Sequence, residues 1–235
     1  MRRRDEEYSG GGLMSAECVS VQDYSTFPRI LRDKTIKGLH YQSVKAIRAD
    51  GYYFTDERGE QIQELYDMML VLEGAGCDLP EDPLRRRFYI DFAEGLIYPL
   101  KAWLKDKQFH YSYGAQMRKE NMLAKCIQKL RECPATRRTW IPILHPDQVG
   151  STLEIPCCIG YDLKIRDGKL LMTTVFRSND MYGAADSDIY GYRKLQQYLA
   201  WLLRVDVGNY YQMSISAHVR MSDLNGINRL LGATA

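Results

Sequence analysis

The feature that most constrains the fold is an alternating apolar pattern on both sides of an Asp-Gly pair. Tyr161, Leu163 and Ile165 alternate with polar residues, and a second apolar run follows over 170–176. The Asp167-Gly168 pair between them suits a tight turn whose twist matches that of two antiparallel strands. The sequence therefore predicts a β-hairpin, and with it a sheet in the second half of the chain.

The other apolar patterns place helices mainly in the first half and more strand in the second. Helical spacing of apolar residues is recognised by repeats of three and four, and strand spacing by repeats of two. The predicted elements are helices over 61–73, 82–103 with a break at Pro99, 116–131 and 189–203, and a strand over 213–219. Helices packed on a β-rich second half predict an α+β fold.

The domain organisation follows from length and composition. Residues 1–14 hold a charged start and the run Ser9-Gly10-Gly11-Gly12, which predicts a flexible tail. No long linker or internal repeat follows, so residues 15–235 are predicted to form a single domain. The apolar fraction of 45% is sufficient for one packed core.

Charge and cysteine usage argue against several classes of protein. The 32 Lys and Arg against 30 Asp and Glu give a net charge of +2, too small for an extensive nucleic-acid-binding face. No apolar run approaches the roughly 20 residues of a membrane-spanning helix, and no apolar segment follows Arg2-Arg3-Arg4 as in a secretory signal. We therefore expect a cytoplasmic protein with its six cysteines reduced. Four scattered histidines and the lack of a CxxC pair argue against a metal site.

Four segments of the second half carry residue types that suit nucleotide chemistry. They are Thr136-Arg137-Arg138-Thr139, Ile155-Pro156-Cys157-Cys158, Arg177-Ser178-Asn179-Asp180 and Ser216-Ala217-His218-Val219-Arg220. Guanidinium groups bind phosphate through paired charge-assisted hydrogen bonds, and a thiolate near arginines is a nucleophile. Taken alone, Arg137-Arg138 also fits a solvated strand edge, and Cys157 also fits a buried, inert thiol.

The order and spacing of these segments resemble the thymidylate synthase superfamily over about residues 110–224. The matching motifs are Tyr113-Gly114-Ala115-Gln116-Met117-Arg118, Thr136-Arg137-Arg138, Pro156-Cys157-Cys158, Arg177-Ser178-Asn179-Asp180, Asp188-Ile189 and His218-Val219-Arg220. The resemblance implies a large mixed β-sheet flanked by helices, with one sheet face at the interface of a homodimer. It also implies a pyrimidine nucleotide as substrate and 5,10-methylenetetrahydrofolate as cofactor.

The resemblance further implies a role for each matching residue. Cys157 would attack C6 of the pyrimidine, Tyr113 would help to remove the C5 proton through water, His218 would face the sugar, and Asp180 would meet the pterin. The 5′-phosphate would be held by Arg177 and Ser178, with Arg137 and Arg138 reaching it from the partner subunit. The family's water-ordering glutamate would fall at Asp67 on a gapless match backwards from Gly74, with Glu64 as the competing candidate.

One departure from the synthases changes the expected base. The synthases have asparagine where this chain has Asp188, and that amide accepts from uracil N3–H and donates to O4. A carboxylate cannot donate to O4, but it can accept from the C4 amino group of cytosine. A protonated Asp188, or cytosine protonated at N3 while Cys157 adds, would complete the second hydrogen bond. The same replacement marks the cytidylate hydroxymethylases of the superfamily, including those that open pathways to cytosine-nucleoside antibiotics. The alternative is a helix-capping aspartate that contacts no ligand.

Other departures concern the sugar and the product. Cys158 stands where the synthases usually have histidine, and Arg220 where they have the tyrosine that binds the deoxyribose 3′-hydroxyl, which favours CMP over dCMP. The chain ends about fifteen residues after the His218 segment, so we expect a more open site that admits water and gives a hydroxymethyl product.

These features together predict 5-hydroxymethylation of CMP or dCMP with 5,10-methylenetetrahydrofolate. Two alternatives stay open: a divergent thymidylate synthase that methylates dUMP, and a catalytically inactive member that binds nucleotide or RNA.

Overall fold

A computed structural model describes residues 28–99, 101, 111–150 and 155–232. The tail predicted over 1–14 lies outside these residues. The strands are β1 (Arg29–Asp33), β2 (Tyr52–Thr55), β3 (Gln61–Leu72), β4 (Trp140–Pro142), β5 (Cys158–Arg166), β6 (Lys169–Asp180) and β7 (Asp206–Arg220). The helices are α1 (Ile36–Asp50), α2 (Pro83–Ile97), α3 (Tyr113–Gln116), α4 (Met122–Glu132), α5 (Ala185–Leu203) and α6 (Leu224–Leu231). The predicted α+β architecture, a large mixed sheet flanked by helices, is confirmed.

The strands form one mixed sheet in the order β1-β3-β7-β6-β5-β4. The β3–β7, β6–β5 and β5–β4 pairs are antiparallel, whereas β1–β3 and β6–β7 are parallel. Strand β2 pairs with the first part of β3, next to the stretch that β1 covers. Because β6 and β7 are parallel, their carboxyl ends lie side by side at one end of the sheet.

The hairpin predicted around Asp167-Gly168 is confirmed. Strands β5 and β6 pair in antiparallel register from Arg166 opposite Lys169. The two turn residues have φ values of 49° and 71°, the left-handed conformation that a type I′ hairpin turn requires at both positions. This turn fixes the register that brings the start of β5 beside the end of β6.

The helix predictions are partly confirmed. Helix α2 begins at Pro83, where Asp82 accepts from the backbone N–H of Arg85 at 2.8 Å, and it ends at Ile97. The helix predicted over 116–131 is wrong at its start, since Glu120 and Asn121 have positive φ and α4 begins only at Met122. The helix predicted from Ile189 begins four residues earlier, which places Asp188 in its first turn.

The helix predicted over 61–73 is wrong, because these residues form β3. Asp67 has a φ of 52° and kinks the strand. The buried side chains of Leu65 and Met68 are therefore three residues apart, which imitates helical spacing. The first half consequently holds three strands as well as helices, contrary to the mainly helical prediction.

The kink extends across three neighbouring strands. The pairing of β3 with β7 skips Asp67 and Ile215, and the pairing of β6 with β7 skips Arg177 and Ile215. On each of the three strands, the two buried residues on either side of the kink are three positions apart instead of the usual two. These pairs are Leu65 and Met68, Phe176 and Asn179, and Ser214 and Ala217. The kink thus turns Asn179 towards the helices and its two sequence neighbours towards the opposite face.

The core lies between the sheet and helices α1, α2 and α5. Helix α2 approaches α5 closely at Gly191, where a Cβ atom would lie 2.4 Å from the ring of Phe92. This close packing holds the first turn of α5 against the ends of β6 and β7. Among the described residues, no helix is long and apolar enough to cross a bilayer.

Candidate active site

Cys157 lies at the entrance to β5, held against β6. Its carbonyl oxygen accepts from the backbone N–H of Arg177 at 2.9 Å. The Arg177 guanidinium donates to the carbonyl oxygens of Pro156 and Ile155, both at 3.1 Å. The Cys157 side chain is half-buried. Arg177 therefore fixes the segment that carries this thiol and brings a positive charge beside it.

The adjacent cysteine has a different environment. Cys158 is fully buried, and its thiol donates to the carbonyl oxygen of Gly160 at 3.7 Å. Burial raises the pKa of the Cys158 thiol to about 12, so that it stays protonated. None of the five cysteines in the described ranges forms a disulfide. Of the vicinal pair, Cys157 is the one whose sulfur can be reached.

Two tyrosines lie between the Cys157 segment and α5. The Tyr113 hydroxyl accepts from the backbone N–H of Cys158 at 3.3 Å, and its ring stacks on Tyr111 with centroids 5.5 Å apart. Burial, and next the negative charge of Asp188, raise the pKa of Tyr113 well above its ordinary value. Tyr113 is therefore a neutral phenol at physiological pH. Sequence reasoning missed Tyr111, whose only signal was its place two residues before Tyr113.

Asp188 points inward from the first turn of α5 rather than into solvent. Asp188 is 8% exposed, and Asn179 on β6 donates through Nδ2 to its Oδ2 at 3.3 Å. Burial raises the pKa of Asp188 well above its ordinary value, with smaller contributions from Asp186 and Asp180, while the Asn179 hydrogen bond opposes the shift. Burial is the main cause that raises the pKa values of Tyr111 and Tyr113, and Asp188 contributes to both shifts. Its carboxyl group therefore lies within electrostatic reach of the Cys157 pocket, which we define by Cys157, Tyr111 and Tyr113.

The residues predicted to bind phosphate and sugar lie in two places. Ser178 and His218 meet at the ends of β6 and β7, with the Ser178 hydroxyl 3.4 Å from His218 Nδ1. Arg137 and Arg138 lie apart from them, exposed on the connection between α4 and β4. One protomer therefore has the serine and histidine together, and its two adjacent arginines face outwards.

Asp180 and Arg220 form an ion pair at the same end of the sheet. Asp180 Oδ1 accepts from the backbone N–H groups of Tyr182 and Gly183 at 3.1 and 2.9 Å, and Arg220 Nε lies 3.4 Å from Oδ2. Arg220 also lies 3.8 Å from Glu60. The residue predicted to meet the sugar is thus bound to the one predicted to meet the pterin.

The two candidates for the water-ordering acid differ in environment. Glu64 is buried, accepts from the Tyr52 hydroxyl at 3.0 Å and bonds to the hydroxyl of Ser216. It lies opposite His218 in the β3–β7 ladder. Asp67 lies at the kink and is half-buried. Either role stays a prediction, and the contacts favour Glu64.

A metal is not suggested by the arrangement of side chains. Within the residues that the structure describes, no three His, Cys, Asp or Glu side chains group as metal ligands. The donors at this end of the sheet are instead carboxyl, amide, hydroxyl and guanidinium groups, which suit a nucleotide and a pterin ring.

Comparison with known proteins identifies relatives of this chain. The family model described as thymidylate synthase matches residues 93–234, a range that includes every candidate residue except Asp67 and Glu64. A protein from Methanosarcina acetivorans, provisionally named a thymidylate synthase, is 36% identical over 90% of this chain and 98% of its own length. A protein from Methanothermobacter marburgensis with the same provisional name is 30% identical over 75% of this chain and 86% of its own length.

A relative with a different printed activity matches a shorter stretch. The deoxyuridylate hydroxymethyltransferase of Bacillus phage SP01 is 31% identical over 53% of this chain and 32% of its own length. Enzymes of this family use methylenetetrahydrofolate as one-carbon donor. The chain belongs to the thymidylate synthase family, and it is a one-carbon transferase that acts on a pyrimidine nucleotide with methylenetetrahydrofolate.

Proposed function

We propose that the protein hydroxymethylates C5 of a cytidine nucleotide, CMP or dCMP, using 5,10-methylenetetrahydrofolate and water. The observation that carries this proposal is the buried carboxyl group of Asp188, which lies within electrostatic reach of the tyrosines of the Cys157 pocket. A buried carboxyl group with a raised pKa has one donor and one acceptor when it is protonated. Cytosine presents an acceptor at N3 and a donor at its C4 amino group, so the two surfaces match.

Cys157 acts as the nucleophile in this proposal. Its thiolate adds to C6 of the pyrimidine, which raises the electron density at C5 and makes that carbon reactive. The Arg177 guanidinium donates to the carbonyl oxygens of the segment that carries Cys157, and the thiolate is the nucleophilic form of cysteine. Tyr113 stays a neutral phenol, so it orients water or base near C5 rather than removing a proton as an anion.

The end of β6 fits the cofactor. Asp180 Oδ1 is held by two backbone N–H groups, which fixes the carboxylate in one orientation. A pterin ring carries N–H donors along the edge of its pyrimidine portion, and a fixed carboxylate is their natural acceptor. Bound there, methylenetetrahydrofolate supplies the one-carbon unit that C5 accepts. Asp180 would orient the pterin, and the Cys157 pocket would hold the base beside it.

The phosphate site is proposed to be shared across a homodimer. Ser178 and Arg177 come from one protomer, and the exposed Arg137 and Arg138 would come from its partner. An apolar row crosses the sheet face that the helices leave open; it consists of Ile30, Met69, Met213 and Val175, with Trp140 packed over Gly160 at the end. Ile30, Trp140 and Ile215 are 51%, 46% and 41% exposed in the isolated chain. A face of this kind fits a second copy of the sheet.

The choice of product and sugar rests on two further observations. The phage relative is named for hydroxymethyl transfer, which supports water rather than hydride as the final reactant. Arg220 stands where the synthases have a neutral tyrosine that contacts the sugar. Its guanidinium pairs with Asp180 and can also donate to a ribose 2′-hydroxyl. We therefore favour CMP over dCMP.

The second candidate is transfer to dUMP. The archaeal relatives carry the provisional name of thymidylate synthase, and the phage relative is named for deoxyuridylate. In this case Asp188 would accept from uracil N3–H and would hold a proton for O4. Methylation would oxidise the folate to dihydrofolate, whereas hydroxymethylation returns tetrahydrofolate.

One assay tests the proposal directly. The protein is incubated with tetrahydrofolate and formaldehyde in four separate reactions, which contain CMP, dCMP, UMP or dUMP. The mass of the nucleotide is then measured by mass spectrometry. We expect CMP, and to a lesser extent dCMP, to gain one CH₂O unit while tetrahydrofolate is regenerated. Turnover of the uridine nucleotides alone would overturn the cytosine proposal. An absorbance change from dihydrofolate would overturn the hydroxymethyl product.

A further inference from the structure

Asn179 and Asp188 form a buried pair on the helix side of the kink. Asn179 is 2% exposed, and its Nδ2 donates to Asp188 Oδ2 at 3.3 Å. Its carbonyl oxygen, Oδ1, is buried and has no hydrogen-bond partner among the described residues. Sequence reasoning treated Asn179 only as the variable position of an Arg-Ser-x-Asp motif. The kink is what directs its side chain to the first turn of α5.

A protonated carboxyl group cannot by itself distinguish the two pyrimidines. Cytosine needs a donor at N3 and an acceptor at position 4, whereas uracil needs the reverse. A carboxylic acid offers one donor and one acceptor, and moving the proton from one oxygen to the other exchanges them. Discrimination therefore requires a neighbour that decides which oxygen carries the proton.

Asn179 meets this requirement. The N–H that it donates makes Asp188 Oδ2 the acceptor, which leaves Oδ1 as the oxygen that carries a proton. Rotating the Asn179 amide would bring an NH₂ group to the place where its carbonyl oxygen now has no partner. The rotation would replace the N–H···Oδ2 hydrogen bond by a contact between the amide oxygen and the same carboxyl oxygen, and it would leave both N–H groups without this acceptor, which opposes the rotation.

We propose that Asn179 is a specificity-determining residue, which positions the proton of Asp188 and so selects cytosine over uracil nucleotides. This inference rests on the proposed function, because it takes Asp188 as the residue that reads the base. With Oδ2 fixed as acceptor towards the C4 amino group, Oδ1–H donates to cytosine N3. Uracil in the same pose would place N3–H against a donor and O4 against an acceptor.

The test compares Asn179→Leu with the unchanged protein on CMP and UMP, which differ only in the base. Leucine has a similar volume and removes both polar atoms. We expect the ratio of kcat/KM for CMP to that for UMP to fall about tenfold, which corresponds to about 1.4 kcal/mol. Ser214→Ala serves as a matched control, because Ser214 is also buried on this side of the sheet and its hydroxyl has no hydrogen-bond partner within the described ranges. The control is expected to leave the ratio unchanged.

A double-mutant cycle separates this role from a structural one. In the Asp188→Ala background no carboxyl group and no proton remain to be positioned, so Asn179→Leu should no longer change the base ratio. A loss of kcat/KM that is equal for CMP and UMP would show that Asn179 only supports the fold and would overturn the inference. If the leucine variant does not fold, Asn179→Ala, which also removes both polar atoms, is measured in the same way, and an unchanged ratio there has the same meaning.

Failure of the inference and failure of the proposed function give different results. If Asp188→Asn shifts the base ratio and Asn179→Leu does not, Asn179 has no role in selection while Asp188 keeps its own. If the unchanged protein has no preference for CMP over UMP, or Asp188→Asn leaves that preference intact, the proposed function fails first.

Discussion

Replacing Cys157 with alanine is expected to abolish one-carbon transfer to every nucleotide tested. The proposed nucleophile is the half-buried thiol at the entrance to β5, and without it C5 is not activated. A loss on the order of 10⁴-fold or more in kcat is typical when a covalent nucleophile is removed. The measurement is product formation by mass spectrometry, together with nucleotide binding by calorimetry, which should persist because the phosphate and base contacts remain.

The neighbouring cysteine provides a matched control. Cys158→Ala removes a thiol one residue away, but this thiol is fully buried and held protonated at neutral pH. We expect this variant to lose some stability and to keep most of its turnover. Full activity of Cys157→Ala, or equal loss in both variants, would remove Cys157 as the nucleophile.

Replacing Asp188 with asparagine is expected to shift the preference from cytidine to uridine nucleotides. In the orientation that accepts from uracil N3–H and donates to O4, an asparagine amide matches uracil and presents two mismatched contacts to cytosine. A base contact of this kind is worth about 1–3 kcal/mol, and two mismatched contacts should change the CMP to UMP ratio on the order of 10²-fold. The readout is kcat/KM for each of the four nucleotides. An unchanged cytosine preference would contradict the pairing.

The same variant has an expected effect on stability, which checks that the substitution acts through the buried carboxyl group. Burial raises the pKa of Asp188, with Asp186 and Asp180 adding to the shift. Above the ordinary pKa of aspartate the folded chain therefore holds a proton that the unfolded chain has lost. This contribution to stability is present at low pH and is lost as pH rises through the folded pKa.

Asparagine carries no such proton. The difference in melting temperature between Asp188→Asn and the unchanged protein should therefore increase in favour of the variant as pH rises from the ordinary pKa of aspartate to the raised pKa of Asp188 in the folded chain. Thermal unfolding at several pH values measures it. Parallel pH curves for the two proteins would show that the folded-state pKa is not raised.

The sequence could predict those parts of the fold that depend on local chemistry. The Asp167-Gly168 turn needs left-handed backbone at two positions, and few residue pairs provide it, so the β5–β6 hairpin was predictable. The order of the motifs likewise pointed to Cys157 and Asp188, and Tyr111 lies within electrostatic reach of both. Local patterning and the order of the motifs carry this information along the chain itself.

The parts that could not be predicted depend on pairing between distant strands. The kink at Asp67 gives β3 an apolar spacing that resembles that of a helix. The kink exchanges the inward and outward sides of the strand, and this is recognised only from the pairing of β3 with β7. The contact between Asn179 and Asp188 arises from the same inversion on β6. Tyr111 is placed by tertiary packing, and no local signal marks it. Roles for Arg137 and Arg138 depend on a second protomer and stay predictions.

The kink also limits how the protein can change over evolution or by engineering. If a residue were inserted or removed in β3, β6 or β7 near the kink, inward and outward side chains would be exchanged along the rest of that strand. Asn179 would then leave Asp188, and Ser178 would leave His218. Loops around the pocket can vary in length, whereas these three strands can vary only in residue identity. Libraries that aim at a new nucleotide should therefore substitute within these strands and reserve insertions for the connections between them.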